Sequence, residues 1–105
     1  MTSFDERERA FEMQFTHEAD LRFRRLARRN KALASWICDR TGKSGAEAAA
    51  YQERFLTFAM TASHEAAVAA RVADDLAASG VLLPPAEIAA KMAHLDDGAA
   101  AQDHA

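Results

Sequence analysis

Residues 3–42 read SFDERERAFEMQFTHEADLRFRRLARRNKALASWICDRTG, with no proline and no glycine before Gly42. This stretch decides the fold, because nothing in it interrupts a helix. Ser3 is a helix-start residue with Glu6 three positions on, the pattern of a capping box. Asp5, Glu6, Glu8 and Glu12 place negative charge where the helix dipole favours it. Asp5/Arg9, Glu18/Arg22 and Asp20/Arg24 are acid-before-base pairs at i,i+4, each worth about 0.2–0.5 kcal/mol. Gly42 is the natural stop, since a helix commonly ends on a left-handed glycine.

At about 1.5 Å per residue, a helix from Ser3 to Arg40 runs roughly 55 Å. The later helical stretches are about half as long or less, so a bundle built from them covers only part of it. The expected overhang is the N-terminal half, because short loops tie the later helices to the C-terminal end. Phe4, Phe11 and Phe15 lie within about 40° of one another on that half, at 100° per residue. The apolar face widens from Leu21 and Phe23 onward, through Leu26, Ala27, Leu33, Ala34, Ile37 and Cys38. A wider face implies more than one neighbour, so the core is expected to begin near Leu21 to Phe23.

Thr41–Gly45 reads as a turn, and Ser44 with Glu47 as a second capping box opening a helix to about Met60. Ala48, Tyr51, Phe55 and Phe58 form its inward face. Ser63 is expected to cap a third helix carrying Val68, Val72 and Leu76 inward, stopped by Gly80. Pro84-Pro85 starts a fourth helix, with Ile88, Met92 and Leu95 buried. The expected fold is all-α, a four-helix bundle whose long first helix extends beyond it. Residues 1–20 are the protruding segment, able to be disordered when free, 21–95 the bundle, and 96–105 a disordered tail.

The chain has 105 residues, enough for one small domain. Ala, Leu, Glu and Arg dominate, as a helical protein requires. The net charge of −3 argues against general nucleic-acid binding. No apolar run approaches the roughly 18 residues of a membrane span, and the start does not resemble a signal peptide. A lone cysteine, Cys38, cannot form an internal disulfide and fits a reducing compartment. A cytoplasmic helical domain is the expectation.

Motifs of chemistry are sparse. Gly42-Lys43-Ser44 ends like a phosphate-binding loop, but Ile37 stands where that pattern needs glycine and a helix precedes it. His17, His64, His94 and His104 show no ligand spacing with Cys38 or with one another. No Ser/His/Asp set or paired carboxylates mark a catalytic centre, so the chain reads as a non-enzyme without a cofactor. Histidine is the side chain that changes charge near neutral pH, and His17 in the overhang would make a docked contact pH-sensitive. Arg22, Arg24, Arg25, Arg28, Arg29 and Lys31 form a basic cluster, either a solvated face, a surface for an acidic protein partner, or a nucleic-acid contact. The last lacks the interleaved exposed aromatics and net positive charge such binding calls for. The phenylalanine stripe either folds back on its own bundle, pairs with a second copy, or enters a groove on another protein.

These residues also form a series. Phe4-Asp5-x-Arg7-Glu8-x-Ala10-Phe11-Glu12, then Phe15, His17, Leu21 and Phe23, then Ala27-Arg28-Arg29-Asn30-Lys31 with Leu33 and Trp36, resembles the ζ-subunit family. These are the inhibitor subunits of alphaproteobacterial F-type ATP synthase. The resemblance continues through Gly45-Ala46-Glu47 with Tyr51, Ala73-Asp74-Asp75-Leu76 with Gly80-Val81, and Ile88 to Met92. It implies that the N-terminal segment enters the catalytic head at an α/β interface near γ and blocks ATP hydrolysis. Carried over by position, Phe4, Asp5, Arg7, Glu8, Phe11, Glu12, Phe15 and His17 would be inhibitory contacts. Arg22, Arg25, Arg28 and Arg29 are the further partner-binding candidates, from the basic cluster. The resemblance further implies a monomer when free, peripheral on the inner face of the bacterial membrane through the synthase. Where the family tends to carry an acidic stretch before its third helix, this chain reads Phe58-Ala59-Met60-Thr61-Ala62-Ser63-His64. The alternative is a helical adaptor that self-associates through the same stripe.

Overall fold

The computed structural model describes residues 2–102, with side chains from Asp5 onward. Four helices follow in order, α1 (Thr2–Thr41), α2 (Gly45–Thr61), α3 (Glu65–Ala78) and α4 (Pro85–Ala101). The molecule is 65 Å long and 28–30 Å across. α1 is the common wall, touched by all three other helices, and α3 also packs on α4.

The ends of the helices follow from local chemistry. Gly42 takes a φ of 76°, and the Lys43 N–H reaches back to the Cys38 carbonyl at 3.0 Å. Gly80 repeats the device at φ 82°, with its N–H on Ala77 O (2.9 Å) and that of Val81 on Leu76 O (2.9 Å). Both are Schellman closures, which satisfy carbonyls a helix end leaves orphaned. Pro84 and Pro85 open α4 as expected, the Pro84 carbonyl accepting from Glu87 N at 3.0 Å.

Two caps differ from the sequence expectation. Ser44 is the N-cap of α2 but makes no side-chain cap bond. Glu47, its expected reciprocal partner, lies instead 3.8 Å from Lys43 Nζ. α3 starts one residue later than Ser63 implies, with His64 at the N-cap. The Ser3 cap falls among side chains outside the described residues.

The core contains Leu33, Ala34, Ile37 and Cys38 of α1, with Tyr51, Phe55 and Ala59, Val68, Val72 and Leu76, and Ile88 and Met92. Burying a side chain such as Phe55 contributes about 1.5–3 kcal/mol. Tyr51 stacks on Phe55 with ring centroids 6.0 Å apart. The Tyr51 hydroxyl donates to Asp75 Oδ2 at 2.7 Å, and Arg71 Nε donates to the same oxygen at 2.8 Å. Burial, then that bond, pushes the Tyr51 phenol well above its ordinary range. Val81 and Leu83 pack over the bundle end, while Leu82 between them is exposed.

The buried stripe of α1 begins at Arg29 and Asn30, not near Leu21 to Phe23. Phe23 is 60% exposed. Length explains this: α2 and α4 have 17 residues each, or about 26 Å of helix. Measured back from Thr41, that reaches only to about position 25. The far end of α4 is a second correction. The helix runs past Asp96 and through Gly98 to Ala101, with Ala99 buried. Met92, Leu95 and Ala99 continue one face at helical spacing, and alanine is too small to advertise it. The remainder of the expected tail, 103–105, lies outside the described residues.

Candidate partner-binding site

Every side chain described from Asp5 to Asp20 is exposed. Asp5, Arg7, Glu8, Phe11, Glu12, Phe15 and His17 thus share a stretch of α1 that no other helix covers. Phe11 is 70% and Phe15 60% exposed. They stand one turn apart and, with Gln14 and Glu18, line a shallow hollow. Phe4 lies in α1 by its backbone, and its side chain is outside the described residues. The local supports include the Asp20–Arg24 pair at 2.9 Å and Thr16 Oγ1 donating to Glu12 O at 2.9 Å. The site is a bare apolar ridge with charged flanks, suited to binding a surface rather than to chemistry.

Two apolar residues of this region escaped the sequence reading. Met13, 72% exposed, stands about 160° from Phe11 around the helix. A methionine off the stripe carries no periodic signal. Phe23, assigned to the core from sequence, belongs with the exposed set instead.

The basic cluster divides. Arg22 is exposed and Arg25 half-buried. Arg28 turns across to α4, where Nη2 donates to the Ala99 carbonyl at 3.0 Å. Arg29, a candidate partner contact from sequence, is only 1% exposed. Its Nη1 and Nη2 donate to the two Glu65 carboxylate oxygens at 2.7 and 2.9 Å. Nη1 also reaches Asp96 at 3.2 Å, and Nε donates to Asn30 Oδ1 at 2.8 Å. Asn30 in turn donates to Met60 Sδ at 3.2 Å. This arginine fastens α1 to α3 and α4 at the place where the overhang leaves the bundle. Its role is internal.

The electrostatics fit that clamp. Burial opposes the charge of Arg29, and the Glu65 hydrogen bond with both carboxylate charges outweighs it. The hydrogen bond from Arg29 holds the Glu65 carboxyl below its ordinary range. Asp96 moves the other way: burial against α1 raises it, ahead of the opposing pull of Arg29. Glu65 has already taken two of the guanidinium's N–H groups, so Asp96 is the weaker partner.

Among the described residues, no group of three or more His, Cys, Asp or Glu side chains is placed to hold a metal ion. No helix described is long and apolar enough to cross a membrane. Lys43 of the Gly-Lys-Ser turn lies 5.6 Å from the Tyr51 ring, which fits a helix-linking turn.

A family model described as ATPase inhibitor subunit zeta matches residues 1–102. The chain belongs to that family. No curated protein and no solved structure gave a significant match. Zeta subunits are regulatory and non-catalytic, and so is this chain. The match spans the overhang as well as the bundle, so both halves of α1 belong to the zeta pattern.

Proposed function

We propose that this zeta-family protein inhibits ATP hydrolysis by F-type ATP synthase by inserting the overhang of α1 at a catalytic α/β interface close to γ. The observation that carries the reading is a ridge of large apolar side chains, Phe11 and Phe15, on a helix its own bundle is too short to cover. Phe4 extends that ridge toward the tip by its position in the sequence. Asp5, Arg7, Glu8, Glu12 and His17 flank it and set register and approach rate more than affinity. Arg22, Arg25 and Arg28 lie at the root, where the bundle rests against the outside of the head and limits the depth of entry. The protein acts as a monomer, held at the inner face of the membrane only through the synthase.

Each phenylalanine buried contributes about 1.5–3 kcal/mol. The overhang is already part of the α1 helix, so docking is spared most of the cost of ordering a coil, about 1–2 kcal/mol per residue. Phe11→Ala combined with Phe15→Ala is expected to weaken inhibition of the isolated catalytic head at least about a hundredfold, on the scale of interface anchors. Circular dichroism checks that the bundle is intact. Full inhibition by the double variant would overturn the assignment.

A further inference from the structure

We infer that the apolar docking ridge does not stop at Phe15 but runs on to the shoulder of the bundle, with Phe23 as a further anchor beside the Arg22 contact. The cleft receiving it is positive at its floor, helical along an apolar wall and acidic at its mouth. This deepens the proposed insertion and rests on it.

The first observation is Phe23 itself. It is as exposed as Phe15, 60% in each case, yet it sits next to the root of the overhang rather than at its tip. α2 ends at Thr61 and α4 at Ala101, so neither covers it. The second is spacing. Phe11, Phe15, Ala19 and Phe23 follow one another at every fourth residue, and each step of four turns about 40° around the helix. They form one continuous i±4 ridge about 18 Å long. Such ridges pack into the matching grooves of another helix, crossing it obliquely. A partner seated only against Phe11 and Phe15 leaves the last aromatic of that ridge in water.

The third observation is the charge gradient along the same helix. Residues 5–20 carry six acids (Asp5, Glu6, Glu8, Glu12, Glu18 and Asp20) against two bases, Arg7 and Arg9. From Leu21 to Cys38 the helix has no acid at all. Arg22, immediately before Phe23, is exposed, as is Lys31 one face away. An acidic tip and a basic root define the cleft that complements them, and like-charge contacts against a cleft of the opposite polarity would reject it.

The test uses the full chain and the isolated catalytic head. Phe23→Ala is expected to raise the inhibitory constant roughly tenfold. Arg22→Glu is expected to slow association at low salt, with the difference shrinking as salt is added. Both positions are exposed, and unchanged thermal unfolding of each variant checks that the fold is intact. Hydroxyl-radical footprinting supplies a second measurement: Phe23 becomes protected on docking, while Leu82, exposed at the opposite bundle end, does not. If the Phe11/Phe15 double variant loses inhibition while Phe23→Ala and Arg22→Glu match the parent and Phe23 stays reactive, the extended surface is wrong and insertion stands. If the double variant also inhibits like the parent, insertion itself fails.

Discussion

Residues 5–20 and 29–38 belong to the same helix and carry large apolar side chains at similar spacing, yet one stretch is bare and the other dry. Phe15 is 60% exposed, and Leu33, eighteen positions on, is 0% exposed. The widening of the apolar face separates them only coarsely, since it places the boundary near Leu21 to Phe23 and burial begins at Arg29. The difference lies in what stands alongside: three helices of 14 to 17 residues flank a helix of 40. Amphipathic spacing therefore says which face seeks cover, and the lengths of the neighbours say where cover is found.

Stability measurements are the most direct way to break this contrast. Leu33→Ala is expected to lower the folding free energy by about 2–5 kcal/mol, as for a buried leucine whose cavity only partly collapses. Phe15→Ala should move it by less than about 0.5 kcal/mol, in keeping with a bare surface site. Urea denaturation of the two variants decides the matter, and comparable losses would mean that the overhang packs on its own bundle in solution.

A smaller effect sharpens the boundary between the halves. Arg29→Met is expected to destabilise the bundle by about 1–3 kcal/mol, because it strands the buried Asn30 carbonyl without its donor. The same change at Arg22 should be nearly silent for folding. Equal effects at the two positions would place the root of the overhang elsewhere.

The smallest expected effect is on acid stability. Glu65 is held below its ordinary range, so its stabilising contribution is complete at neutral pH and is lost as pH falls through its folded value. Asp96 is raised, so its contribution has the opposite sign, present in acid and lost as pH rises through its folded value. The Glu65 interaction is the closer of the two, so a net loss is expected on going from about pH 7 to about pH 3. Glu65→Gln should flatten that fall, and Asp96→Asn should steepen it. An unchanged acid profile in Glu65→Gln would assign the loss to other carboxylates.

Much of the fold was legible because it rests on local rules. Gly42 and Gly80 stop helices at left-handed turns, Pro84-Pro85 starts one, and Leu33, Ile37, Val68, Val72 and Leu76 mark buried faces by spacing alone. The overhang was legible from length. What stayed hidden depends on distant partners. Arg29 looks like Arg28 in a run of bases, and only Glu65 and Asp96, far along the chain, distinguish it. One clue existed, since Arg29 is three residues after Leu26 and four before Leu33 on the apolar face. Phe23 was misplaced because its spacing is that of a core residue and the helix that would have covered it ends too soon. Ser44 matched the capping pattern, but its hydroxyl makes no cap bond.

Cys38 is 2% exposed, with its Sγ between the Ala48 carbonyl at 3.9 Å and the Gln52 amide nitrogen at 3.8 Å. The native thiol is thus shielded from aqueous maleimides while the bundle is folded. A cysteine introduced at Thr16, exposed and off the aromatic ridge, would take up such a reagent alone, without first replacing Cys38. Single-site fluorophores or spin labels can therefore report on the protruding segment, and on its distance to a labelled motor, in otherwise unaltered protein.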